Sequence, residues 1–130
     1  MPSASRNQLP AETPVPGVEM SEIQWEGMNA EFMSVSELAV GMDLAQLFKG
    51  LPDDRCQAHH WGHVIKGSLQ IRYGDRVETF TAGQTYYIEP GHIPHISEPT
   101  EFIEFTPVEE WSKTMKVVKR NVEAARLSQV

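Results

Sequence analysis

Between Lys66 and Gly91 the chain is punctuated at near-regular intervals by turn-forming pairs: Lys66-Gly67, Gly74-Asp75, Ala82-Gly83 and Pro90-Gly91. Turns about eight residues apart leave room only for short strands, the rhythm of an antiparallel sandwich or barrel. The runs between them agree. Leu69-Gln70-Ile71-Arg72-Tyr73 alternates strictly, with apolar residues on one face and Gln70 and Arg72 on the other, so this strand is half buried. Val77–Phe80, Thr85–Ile88 and Phe102–Phe105 continue the pattern. Upstream, Ile23 to Phe48 suggests further short strands with one helical turn over Asp43–Phe48, and Leu51-Pro52-Asp53-Asp54 is turn chemistry.

After Thr106 the period changes. Thr106 with Glu109 three positions on, and Pro107 between them, form a capping box with proline at the first helical position. Trp111, Met115, Val118, Val122 and Ala125 then recur at helical spacing, which predicts a helix over 107–127 packed on the sheet. Lys113, Lys116, Lys119, Arg120 and Arg126 read as its solvated face, interleaved with acidic residues. Residues 1–20 carry four prolines and few bulky apolar groups, and read as a flexible tail. The division is therefore a tail over 1–20, a β-domain over 21–106 and a helix over 107–127. With 130 residues there is no room for a second core of normal size.

Several classes of function are disfavoured. A net charge of -7 opposes binding to nucleic acid or acidic membrane surfaces, which require clustered Lys and Arg. No stretch approaches the roughly 20 apolar residues of a membrane span, and the N-terminus lacks a signal-peptide layout. The single cysteine, Cys56, rules out an intrachain disulfide, so a cytoplasmic protein is expected. No glycine-rich phosphate loop is present.

The chemistry is concentrated elsewhere. All five histidines (His59, His60, His63, His92, His95) and Cys56 lie between positions 56 and 95. Imidazole and thiolate are ligands for zinc, iron, nickel and copper, so a metal is the economical explanation. If Cys56–Ile65 is extended, Cys56, Ala58, His60, Gly62 and Val64 share one face, while His59, Trp61, His63 and Ile65 share the other. The first face is the better site, because Ala58 and Gly62 leave space beside His60. A third ligand then comes from Gly91-His92-Ile93-Pro94-His95, as His92 or His95. On a straight strand Cys56 and His60 would stand about 13 Å apart, too far for shared ligation or proton transfer, so a common site needs a bend or bulge near His59.

The order of these motifs resembles the cupin superfamily, which implies an all-β, single-domain jelly-roll β-barrel with the C-terminal α-helix as a decoration. Gly67 in Val64-Ile65-Lys66-Gly67 matches the glycine closing the first cupin motif, and Gly83 with Pro90-Gly91-His92 matches the second. Counting back from Gly67, His60 stands where the family has a glutamate, and Asp54 and Cys56 stand where it has two histidines. Pro94 takes the second motif's histidine position in one register, with His92 and His95 beside it. The sequence is similar instead to a branch of short bacterial cupins of no assigned function, with Cys-x-x-x-His-Trp-Gly, a Pro-Gly-His turn and a final Glu104-Phe105-Thr106-Pro107 strand. That resemblance implies an altered metal set of Cys56, His60 and His92, with Glu104 as an oxygen ligand or supporting partner, or else a metal lost altogether.

The expected function is binding of a divalent transition metal, zinc or iron, beside a pocket for a small molecule. There the ion would serve as Lewis acid or oxygen-activating centre. Gly62 and a phenol from Tyr86 or Tyr87 would line the pocket. The alternative is a non-catalytic small-molecule or metal-sensing module, since one fold hosts many functions. A homodimer is expected, because exposed sheet edges need cover.

Overall fold

The structure, a computed structural model, describes residues 3–127. Its strands are β1 (Glu12–Val15), β2 (Val18–Trp25), β3 (Met28–Val35), β4 (His60–Lys66), β5 (Ser68–Arg72), β6 (Val77–Thr81), β7 (Thr85–Ile88), β8 (Ile93–His95) and β9 (Thr100–Pro107). A single long helix, α1 (Val108–Leu127), follows β9. A six-stranded sheet has the order β1-β2-β3-β9-β4-β7, and a three-stranded sheet the order β6-β5-β8, with antiparallel pairing throughout. The molecule is thus mostly β with a C-terminal helix. The two sheets face each other without closing into one hydrogen-bonded barrel, which corrects the barrel expected from the sequence.

The turn rhythm accounts for the passage between sheets. Gly67, at φ +80°, carries the chain from β4 in the large sheet to β5 in the small one. A Cβ there would strike the Pro99 carbonyl, so both the dihedral and the space demand glycine. The alternation in β5 buries Leu69 and Ile71, each about 1 % exposed, against Val64, Tyr86, Ile88 and Phe102 of the opposing sheet. Each such aliphatic side chain contributes roughly 1.5–3 kcal/mol of burial free energy. A second apolar cluster joins Phe48, Cys56 and Ala58 to Leu47, Leu51, Ile93 and Val118. It clasps α1 through the 3-10 turn Leu44–Phe48, and Asn121 of the helix donates to the Leu47 and Lys49 carbonyls at 2.8 and 2.9 Å.

Three sequence expectations change. Residues 1 and 2 lie outside the described residues, but the remainder of the segment read as a tail holds β1 and the start of β2, with Val18 and Met20 buried. The prolines hid a strand because Pro14 sits on a sheet edge, where no ladder donor is needed. β3 pairs along its whole length with β9 in the middle of the large sheet. At the other junction β9 runs through Pro107, and the Val108 N–H donates to the Gly27 carbonyl at 2.8 Å, so strand passes directly into helix. Thr106 is therefore a strand residue rather than a cap, and Ala125 is exposed rather than part of the packed stripe.

Candidate metal centre

The site is built on an interrupted ladder. His60 pairs with Ile88 and Trp61 with Tyr87 along β4 and β7. Four residues further along each strand, in the same register, Cys56 bridges His92. Between them Gln57–His59 and Glu89–Gly91 leave the ladder, and Gly91 turns at φ +91°. The resumed pairing is closed by Cys56 N–H to the His92 carbonyl at 3.0 Å and Gly91 N–H to the Cys56 carbonyl at 2.8 Å. The bend demanded for a shared site is present: Cys56 Sγ lies 3.6 Å from His60 Nε2. The His60 and His92 rings meet edge to face at 5.0 Å, and one potential ligand atom from each of Cys56, His60 and His92 lies within 4.8 Å of the others.

Each imidazole is oriented by its other nitrogen. His92 Nδ1–H donates to the Glu89 carbonyl at 2.6 Å, which leaves Nε2 as its free nitrogen. The Glu89 turn is itself held, because its N–H donates to Tyr73 Oη at 2.9 Å and the Tyr73 ring carries Arg76 3.9 Å above its centroid. His60 Nδ1 lies 2.7 Å from Thr106 Oγ1 and 3.3 Å from Glu104 Oε2, so its Nε2 points at Cys56. Thr114 of α1 stands 4.0 Å from the thiol. Partners of this kind on the remote imidazole nitrogen set tautomer and ring direction in metal sites.

Burial dominates the electrostatics. It pushes His60 and His92 down to about 4, so both are neutral near pH 7 and able to donate a lone pair. It raises the Cys56 thiol to about 11. Glu104, largely buried, is raised to about 7, although the Tyr86 hydroxyl donates to its Oε1 at 2.8 Å. With His60 neutral, its 3.3 Å approach to Glu104 is not an ion pair at neutral pH, and its Nδ1 hydrogen bond goes to Thr106. A tetrahedral centre with bonds of about 2.3 Å to sulfur and 2.0–2.1 Å to nitrogen holds its donors about 3.5 Å apart, the Cys56–His60 spacing. Two neutral imidazoles and one thiol fit a soft or borderline cation, which would ionise the thiol on binding.

The structure distributes the other candidates differently. Glu104 reaches His60 Nδ1, the nitrogen remote from the cluster, which makes it a support for the imidazole. His95 pairs with Gln70 across β8 and β5 and is not among the residues whose ligand atoms gather with those of Cys56 and His60. Tyr86 is buried, whereas Tyr87 is 43 % exposed on the outer surface beside Trp61, at 44 %. Strand parity separates the two phenols, but the cavity between the sheets is lined by neither Tyr86 nor Tyr87, nor by Gly62, which corrects the pocket expected from the sequence. Gly62 offers no free space: a Cβ there would collide with the Tyr86 ring and the Ile103 carbonyl, so the room beside His60 is taken by the phenol. His59 accepts an outer role, with its N–H and Nδ1 on Glu110 Oε1 at 2.8 and 2.7 Å, and His63 Nδ1 is 3.0 Å from Thr85 Oγ1.

Between the two sheets and α1 lies a cavity of about 180 Å³ whose wall includes Cys56, His60 and His92. The rest of the wall is overwhelmingly apolar, with Met33, Ile71 and Phe102 typical. Two carboxyls interrupt it, Glu104 and Glu31. Sequence reasoning missed Glu31 and Trp111 in this role, since an acidic residue in β3 reads as solvent-facing and a tryptophan on an amphipathic helix reads as core. No sequence signal singles out Glu31, because its place opposite Glu104 follows only from the β3–β9 pairing.

The fold of two facing antiparallel sheets is shared with solved cupin structures. Solved structures that share it include the polyketide cyclase RemF from Streptomyces resistomycificus, at 17% identity and TM-score 0.59 over 83% of this chain and 80% of that one. An RmlC-like cupin from Shewanella frigidimarina NCIMB 400 superposes with TM-score 0.58 at 12% identity, covering 80% of this chain and 87% of the other. The Fe(II) form of HppE gives TM-score 0.54 at 11% identity over 82% of this chain, which spans 60% of HppE. At these identities the likeness shows the fold alone. No protein-family model and no curated protein matches the sequence.

Proposed function

We propose that this chain is a cupin-fold metalloprotein in which Cys56, His60 and His92 hold a divalent transition metal, zinc or iron, while the adjoining cavity takes a small, largely apolar molecule. The observation that carries the reading is the convergence of three potential ligand atoms within 4.8 Å on the wall of an apolar cavity. Zinc would supply Lewis-acid chemistry there and iron oxygen-activating chemistry. The chain's own contribution is to orient the imidazoles through Thr106, Glu104 and the Glu89 carbonyl, and to keep water from the cavity with aliphatic walls. Three protein ligands, rather than four, suit a centre with room for a substrate. Among the neighbours in fold, HppE is described in its Fe(II) form and RemF as a polyketide cyclase, which supports metal chemistry and an apolar substrate as precedents on this scaffold.

Elemental analysis of the protein purified without added metal tests this reading. Close to one equivalent of zinc or iron per chain is expected, falling well below that in His60→Ala. An absence of metal in the unaltered protein would sink the assignment and leave the cavity as a non-catalytic small-molecule site. A cytoplasmic location is retained as part of the proposal. No helix among the described residues is long and apolar enough to cross a membrane. A homodimer is also retained, supported by the exposed Trp61–Tyr87 pair at the β7 edge of the large sheet. Light scattering at micromolar concentration would decide it.

A further inference from the structure

Glu31 is the polar group in the cavity that the metal reading leaves unused. It is buried, directly opposite Glu104 in the β3–β9 ladder and reached by Trp111 from α1. Its two hydrogen bonds fall on a single oxygen: Oε1 accepts from Trp111 Nε1 at 2.7 Å and from Asn29 Nδ2 at 3.2 Å. Oε2 takes neither. Among the described residues no sealed side-chain nitrogen or oxygen lacks a partner, so an oxygen with none must open on free volume, and the volume that Glu31 lines is the cavity. Trp111 and Asn29 thus hold the carboxyl by one oxygen and present the other to whatever occupies the space.

The protonation state gives that oxygen its chemistry. Burial, the facing Glu104 and the neighbouring Glu22 push Glu31 up to about 8, against the Trp111 hydrogen bond, so at neutral pH it is a carboxylic acid with a proton to donate. A neutral acid in an apolar wall costs little until it is left without a partner, and then it is a strong selector for an acceptor. A cavity of about 180 Å³ is of the size that accepts one substituted ring, since an apolar cavity of roughly 150 Å³ binds benzene.

We infer that Glu31 is a second polar anchor of the cavity, donating a hydrogen bond to the oxygen of a compact aryl or alkyl ketone whose remaining surface packs on the aliphatic walls. This rests on the reading of the cavity as a ligand site, but not on the metal. It names the substrate class as a mostly apolar carbonyl compound, and makes Glu31 a residue that sets specificity.

Acetophenone and α-methylstyrene have nearly the same shape, and differ in carrying a carbonyl oxygen or a methylene. Their affinities for the full chain, measured by calorimetry, should change in ratio between the unaltered protein and Glu31→Leu by about tenfold, the range of one net hydrogen bond, with α-methylstyrene binding retained. Glu31→Gln, which keeps a donor, should fall between. Infrared spectra of bound acetophenone provide a second reading that needs no stable Leu variant: the carbonyl stretch should sit lower in the unaltered protein than in an apolar solvent, and should rise in Glu31→Gln. The same lowered stretch is expected in His60→Ala. An unchanged affinity ratio with an unshifted carbonyl would overturn the inference while leaving the cavity as a ligand site. A shift that disappears in His60→Ala and survives in the Glu31 variants would overturn it in favour of the metal centre. Failure of both compounds to bind the unaltered protein would overturn the inference together with the cavity reading.

Discussion

Cys56 and His60 stand four residues apart with Sγ and Nε2 3.6 Å from one another, because the chain leaves its ladder at Gln57–His59 and rejoins it at the Cys56–His92 bridge. A continuous strand would have put their backbones about 13 Å apart. The arc in β4's approach has a counterpart in Glu89–Gly91, so both sides of the ladder bow together and bring His92 to the same point. The site is thus a product of a local irregularity held by regular pairing on either side.

The arc depends on Gly91. Its φ of +91° has no steric neighbour within 4 Å of a would-be Cβ, so a substitution there meets backbone strain alone. Gly91→Ala should destabilise the fold by about 1–3 kcal/mol and lower metal content by displacing His92. Thermal melting with elemental analysis checks both; a full metal complement with an unchanged melting temperature would refute the dependence.

Gly62 gives a different kind of strain. In Gly62→Ala the new methyl would press on the Tyr86 ring and the Ile103 carbonyl, and an overpacking cost of about 1–3 kcal/mol is expected. Removing the phenol oxygen in Gly62→Ala/Tyr86→Phe should recover part of it, since that oxygen is among the closest atoms. Urea unfolding of the two variants measures the difference.

Metal removal should be visible as stability. If Cys56, His60 and His92 hold an ion in the folded state only, saturation at 100 times Kd stabilises by about 2.7 kcal/mol, and a chelator should lower the melting temperature accordingly. Cys56→Ser should reduce this dependence and abolish the thiolate charge-transfer absorption of a cobalt-loaded sample. Melting curves insensitive to chelator would count against the site.

The metal-free protein should show a lopsided pH profile. Glu31 and Glu104 have folded values of about 8 and about 7 against an ordinary 4.5, so each favours folding below 4.5 and loses that advantage as pH rises to its folded value. His60 and His92, at about 4 against 6.5, favour folding above 6.5 and lose the advantage as pH falls. The two effects oppose one another between 4.5 and 6.5, where stability should be nearly level, and the carboxyls alone act from 6.5 to 8, where it should decline. Glu31→Gln should flatten the decline, as read by urea midpoints at half-unit intervals; an unchanged slope would show that Glu31 does not carry it.

Strand parity was legible in the residues themselves. Cys56, Ala58, Gly62 and Val64 are buried, His60 is largely so, and Trp61 and Ile65 face solvent, as a period of two requires. Turn spacing likewise yielded β5, β6 and β7, and helical spacing yielded α1, because these depend on neighbours in the chain. What parity could not supply was contact between strands distant in sequence. The choice of His92 over His95, the Tyr86 phenol filling the space above Gly62, Thr106 serving His60 rather than a helix cap, and β1 and β2 within the supposed tail all come from pairing across dozens of residues. Glu31 shows the reason most directly: its side chain is ordinary in sequence, and only the closing of β3 on β9 under Trp111 removes it from water and gives it a proton and a cavity to face.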